Sequence, residues 1–151
     1  HVDSSAASDV YKRQVYYSVK ALVNNGRVYS TDVCVPISRI TECVKFAEVE
    51  VNKIGLRAPM VGHLGDGNFH VLFPYDPNDK EIYKKIREFS NKLIDKTLEL
   101  KGTITGEHGV GLHKKSYLLK EHPDNIPLMK TIKRSIDPKN IMNPGKIFDL
   151  N

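Results

Sequence analysis

The sequence predicts an α+β domain: a ferredoxin-like antiparallel sheet with helices on one face, followed by C-terminal helices. Three observations carry this. Short β-branched runs end at proline or glycine. Two long segments repeat apolar residues at helical spacing. Along the chain the order is strand, helix, hairpin, helix, strand.

Taken in order, residues 1–14 (HVDSSAASDVYKRQ) are small, polar and aperiodic, and read as a foreign or disordered leader. The domain is expected over 15–151, as a fragment of a longer protein. Residues 15–23 read as a short helix ended by Asn24, Asn25 and Gly26. YSTDVCVP, residues 29–36, is β-branched, stops at proline and reads as a strand. Ser38 is placed to cap a helix carrying Ile40, Val44, Ala47, Val51 and Ile54 on one stripe, and Gly55 ends it. Residues 57–64 and 67–73 flank Gly65-Asp66-Gly67 as a hairpin. A helix from Asp79 to about Leu100 follows, with Ile82, Ile86, Phe89, Leu93 and Leu100 on one face and Gly102 as its end. Residues 103–106 read as a strand, and 111–121 and 124–136 as helices before the tail DPKNIMNPGK. The free sheet face is expected to meet another domain.

The 151 residues suit one domain with a real core. Apolar content of 40% and charged content of 27% are ordinary for a globular chain. No run approaches the roughly 18 apolar residues of a transmembrane helix. The formal charge is +5, but its lysines lie spread over helical stretches. Aromatic–basic interleaving is absent, so nucleic acid is not an expected partner. Solvated helix faces explain the charge, and a basic mouth that attracts an anionic substrate is the functional alternative. Cys34 and Cys43 form no CxxC pair, which excludes a zinc ribbon; both read as buried small hydrophobes in a reducing compartment.

The chemistry concentrates in two glycine-rich segments, GHLGDGNFH (62–70) and GTITGEHGVGLHKK (102–115). They hold His63, His70, His108 and His113, four of the six histidines, with Asp66 and Glu107. A hairpin brings His63 and His70 back towards each other, and Glu107 adds a carboxylate. Two histidines and one carboxylate suit zinc, manganese or iron and leave positions open for substrate. His108 projects differently and can act as a base. The ordinary alternative is a capping histidine, a packed one and a polar loop. Asp66 serves equally well as a turn-former, and His113 beside Lys114 and Lys115 reads as surface charge. Neither a P-loop nor an EF-hand nor a Rossmann fingerprint is present. A metal-dependent hydrolase and a non-catalytic interaction domain are therefore the competing functional readings.

GHLGDGNFH, TGEHGVGLHKK and DPKNIMNPGK together resemble the C-terminal substrate domain of FAD-linked oxidases of the vanillyl-alcohol-oxidase type, over residues 15–151. The resemblance implies oxidation of a D-2-hydroxy acid, with D-lactate ahead of glycolate. FAD would be bound mainly by an N-terminal domain that this sequence lacks, so the isolated fragment should be inactive. It implies His63, His70 and Glu107 as ligands of a divalent metal and His108 as the general base. Asn143 and Lys146 match a tail near the flavin. Ser30 and Thr31 stand where members acting on D-2-hydroxyglutarate carry a lysine. Cytochrome c or a quinone-linked protein is the implied electron acceptor, in cytoplasm or mitochondrion.

Overall fold

The computed structural model describes residues 14–150. The segment read as a leader lies outside these, except for Gln14. That residue is already helical, in a helix over 14–20 (α1). The architecture is the α+β one expected, with four strands in an antiparallel sheet.

β4 (Asn68–Tyr75) is the centre of the sheet. One of its edges pairs with β1 (Arg27–Ser30) and then β2 (Val33–Cys34), in a single continuous register from Arg27↔Tyr75 to Cys34↔Asn68. Its other edge pairs with β3 (Met60–Val61). An isolated antiparallel bridge, Cys34↔Thr103, adds the beginning of a further strand outside β2. The spatial order is therefore residue 103, β1/β2, β4, β3, with the final strand of a βαββαβ unit cut to one bridge.

Helix α2 (Ile40–Ile54) buries Cys43, Ala47 and Val51, and Gly55 closes it with φ 76°, a left-handed conformation that glycine adopts without strain. Helix α3 (Lys80–Glu99) starts at Asp79, whose side chain accepts from the Ile82 N–H at 2.9 Å. Its buried stripe is Ile86, Phe89, Leu93 and Ile94. These two helices pack on the sheet face formed by Phe69, Val71 and Phe73, all at most 1% exposed. Phe73 and Phe89 meet edge to face at 4.9 Å. Helices α4 (Lys115–Glu121) and α5 (Ile126–Ile136) follow, and Tyr117, Leu118 and Ile126 join the same core.

Several expectations are corrected. The strand at 29–36 is a ladder over 27–34 interrupted at Thr31 and Asp32, because their polar groups serve other partners. Ser38 caps nothing: it sits inside a 3-10 turn, Ile37–Arg39, that leads into α2. At the end of α3 the left-handed residue is Lys101 (φ 63°), not Gly102. A Cβ on Gly102 would lie 2.3 Å from the Cys34 carbonyl oxygen, so that glycine serves close approach. The hairpin connection is a 3-10 turn, Leu64–Asp66, closed by Gly67 at φ 77°. Residues 111–114 are not helical, and α5 begins two residues later than expected. The second sheet face is not wholly free, since Val15 and Tyr16 of α1 and the 105–108 loop line a cleft on it.

Leu93 is fully buried between α3 and the sheet. Leu93→Ala should therefore lower the unfolding free energy by about 2–5 kcal/mol, read from the denaturant midpoint at unchanged m-value.

Candidate functional site

A strand points successive side chains to opposite faces. In β4 this sends Phe69, Val71 and Phe73 towards the helices, and Asn68, His70 and Leu72 to the other face. His70 is therefore held from the sheet centre and is 7% exposed.

The break in the β1–β2 ladder orients it. Thr31 lies opposite Val71, and its N–H donates to the Val71 carbonyl at 3.1 Å. The Val71 N–H donates back to the Thr31 hydroxyl, at 2.8 Å, rather than to the Thr31 carbonyl. That carbonyl instead lies 2.8 Å from His70 Nδ1. A carbonyl only accepts, so Nδ1 carries the hydrogen. In the neutral ring Nε2 then presents a lone pair, and 3.0 Å away stands Glu107 Oε1, an acceptor as well. Two lone pairs at that distance call for positive charge between them, either a proton or a cation. A carbonyl behind the imidazole is the kind of partner that metal-ligating histidines use to fix their orientation.

His108 completes the group. Its Nε2 is 3.6 Å from Glu107 Oε1, and its ring centroid is 5.3 Å from that of His70. Ligand atoms of His70, Glu107 and His108 all lie within 4.8 Å of one another. His63, at the mouth of the hairpin, approaches Glu107 Oε2 at 3.9 Å. All four expected residues are thus brought together. His108 stands inside the tight set, and His63 stands at its edge. They line a cleft of about 270 Å³ with apolar walls from Val15, Tyr16, Val61 and Leu72. His108 and Ser30 also border a neighbouring cavity of about 430 Å³. Asn143 and Lys146 do not line the cleft. They are exposed in a turn closed by Lys146 N–H to the Asn143 carbonyl, 3.2 Å. The tail does return to the glycine loop, through Ile147 N–H to the Gly111 carbonyl at 2.8 Å. Asp66 is an exposed turn residue, and His113 is exposed.

Sequence reasoning missed Asp32. It is 4% exposed, and its carboxylate accepts from Asn68, Thr105 and Lys114 side chains and from the N–H groups of Gly106, Glu107 and His108. The available signal was an acidic residue inside a β-branched run, where a charge is buried only with partners. Lys114, read as surface charge with its neighbours, is one of those partners. Burial by itself would push the Asp32 carboxyl up. The Lys114 ammonium and the His108 N–H outweigh it and hold Asp32 far below the usual carboxylate range.

Residues 6–147 match the family FAD linked oxidases, C-terminal domain. The chain belongs to this family. The match begins inside the segment read as a leader. Among relatives, the chain is 40% identical over 98% of its length to a probable D-lactate dehydrogenase, mitochondrial, of Danio rerio, of which it spans 30%. It is 38% identical over 84% of its length to the D-lactate dehydrogenase [cytochrome], mitochondrial, of Kluyveromyces lactis, spanning 22% of that protein. Glycolate oxidase subunit GlcD of Bacillus subtilis is 40% identical over 77% of the chain, which spans 25% of it. The chain thus covers less than a third of each of these relatives.

Two outcomes follow from the site. Thr31→Val removes the hydroxyl that occupies the ladder, so Val71 N–H turns to the carbonyl and competes with His70. The 15N shifts of His70 should then show loss of the fixed Nδ1–H tautomer. Asp32 has a folded pKa below its unfolded value, so its stabilisation is present above the ordinary carboxylate range near pH ~4 and disappears as pH falls below it. The drop in Tm on acidification should accordingly be shallower in Asp32→Asn than in wild type.

Proposed function

We propose that this chain is the substrate-side part of an FAD-linked dehydrogenase of small D-2-hydroxy acids, D-lactate first, with glycolate or D-2-hydroxyglutarate as the alternative substrate. The observation that carries it is the opposed pair, His70 Nε2 and Glu107 Oε1, with His108 beside them in a small cleft. The names of the relatives support the same reading.

The donor set fits a divalent cation such as zinc, manganese or iron, held by His70 and Glu107 with His63. Bound there, the cation would supply a Lewis acid for the substrate's hydroxyl and carboxylate oxygens, while FAD would supply the hydride acceptor. The described residues contain no glycine-rich βαβ turn for a dinucleotide, which suits a flavin held mainly by another part of a longer protein. His70 contributes a lone pair whose direction Thr31 sets. Glu107 contributes charge. His108 is the most exposed of the three and takes the hydroxyl proton at an imidazole nitrogen. Tyr16, Val61 and Leu72 offer apolar wall to the carbon end of a short acid and exclude water around it. Ser30 and Thr31 bring no positive charge for a second carboxylate, which favours a monocarboxylate. Cytochrome c or a quinone-linked protein is the proposed acceptor downstream of the flavin. Mitochondrion or cytoplasm is the proposed compartment. Among the described residues no helix is long and apolar enough to cross a membrane.

Calorimetric titration of the chain with Mn²⁺ or Zn²⁺ tests the cation site. Wild type should bind with a stoichiometry of about one, and His70→Ala should bind at least ~10-fold more weakly. Binding untouched by His70→Ala, or no binding by wild type, removes the reading. In a full-length relative the residue matching His108, changed to Ala, should lower kcat by ~10²–10⁴. Retained cation affinity in that variant assigns the residue the proton; lost affinity makes it a ligand.

A further inference from the structure

Glu107 and His108 are neighbours in sequence, yet both side chains converge on His70. An extended backbone would send them to opposite sides. The chain must therefore curl tightly at this point, and something must hold the curl.

The structure assigns that task to Asp32 and Lys114. We propose that they form a clamp that positions Glu107 and His108 against His70. Three consecutive backbone N–H groups turn inward onto the one carboxylate: Gly106 at 3.0 Å and Glu107 at 3.2 Å on Oδ1, and His108 at 3.1 Å on Oδ2. Successive N–H groups pointing to one side make an anion-binding concavity. Here the anion is a side chain of the protein itself. The Thr105 hydroxyl donates to Oδ2 at 2.9 Å and Asn68 Nδ2 to Oδ1 at 3.2 Å, so the loop is tied to β4 through the same group. Gly106 is required for the fit. A Cβ there would lie 1.5 Å from Asn68 Nδ2 and 2.9 Å from Asp32 Oδ1.

Lys114 closes the other end of the loop. An ammonium has three donors, and this one meets three acceptors: the Asp32 carbonyl at 3.0 Å, Asp32 Oδ2 at 3.0 Å and the Ile104 carbonyl at 2.9 Å. Residues 104 and 114 are thereby held to one point, with the Glu107–His108 bend between them. The Asp32 carboxylate also lies behind the ring of His70, with Oδ1 at 3.8 Å from Nδ1. Neither Asp32 nor Lys114 belongs to the set of converging ligand atoms, so both are positioning residues.

The test uses three readouts on the chain: amide hydrogen exchange, the ring-to-ring nuclear Overhauser contact between His70 and His108, and Mn²⁺ affinity. Only the last rests on the cation-site reading above. In Asp32→Asn and in Lys114→Met, the amides of Gly106, Glu107 and His108 should exchange at least ~10-fold faster, while those of β4 and α3 stay protected. The His70–His108 ring contact should vanish, and Mn²⁺ should bind at least ~10-fold more weakly. The double variant should lose little more than either single one, since the two residues act as a unit. If Asp32→Asn does not fold, Thr105→Val deletes one bond to the carboxylate and reads the same effects in a smaller step. Unchanged exchange and an unchanged ring contact in a folded Asp32→Asn or Lys114→Met overturn the clamp, as does a loosened loop that binds Mn²⁺ as tightly as before. A wild-type chain that binds no Mn²⁺ defeats the cation-site reading instead, and exchange with the ring contact then decides the clamp alone.

Discussion

β4 is buried on both of its faces, and its two sets of side chains must satisfy unlike neighbours. Phe69, Val71 and Phe73 fill the space under α2 and α3, where only apolar volume is wanted. Asn68 and His70 stand on the reverse side, where polar atoms are buried and each needs a partner. The central strand thus joins the core to the site with no intervening loop. His70 inherits the rigidity of a strand packed by two helices, as a site residue should.

The opposite wall of the cleft has no such support from regular structure. Residues 105–108 form no ladder beyond the bridge at Thr103, and the glycines at 109 and 111 have positive φ. Their order comes from charge instead. One buried carboxylate receives the backbone, and one half-buried ammonium neutralises it. A buried ion pair is weak evidence of stability, because desolvation offsets much of its attraction. It is better evidence of specificity, since few other backbone paths would satisfy the same six donors around Asp32.

Much of this fold was legible in the sequence, and the illegible parts share a cause. Gly55, Asp79 and the stripe from Ile86 to Leu93 obey local rules of helix ending, capping and periodicity, and they hold in the structure. The four residues of the cleft could be gathered from two short motifs because the hairpin brings His63 and His70 back together. The strand expected at 103–106 stops at its first residue, because the polar groups that follow are taken by Glu121, Lys114 and Asp32. Thr105 lies 73 positions and Lys114 82 positions from Asp32. No local pattern encodes partners that far apart. Ser38 failed for a nearer reason: Pro36 starts a 3-10 turn that already occupies the capping position, with Arg39 N–H on the Pro36 carbonyl at 2.7 Å.

The hydroxyl of Thr31 has a role in strand alignment as well as in aiming an imidazole. A strand that slips by one residue exchanges its two faces. In β4 that slip would turn the phenylalanines into the cleft and drive His70 under the helices. Along most of a ladder the backbone is indifferent to such a shift, because every residue offers the same N–H and carbonyl. At Thr31 it is not indifferent, since the hydroxyl frees the carbonyl for the His70 imidazole, a side chain that a slipped strand would carry away. The threonine therefore marks the register, and the sheet can align in one way only if the histidine is to face the cleft.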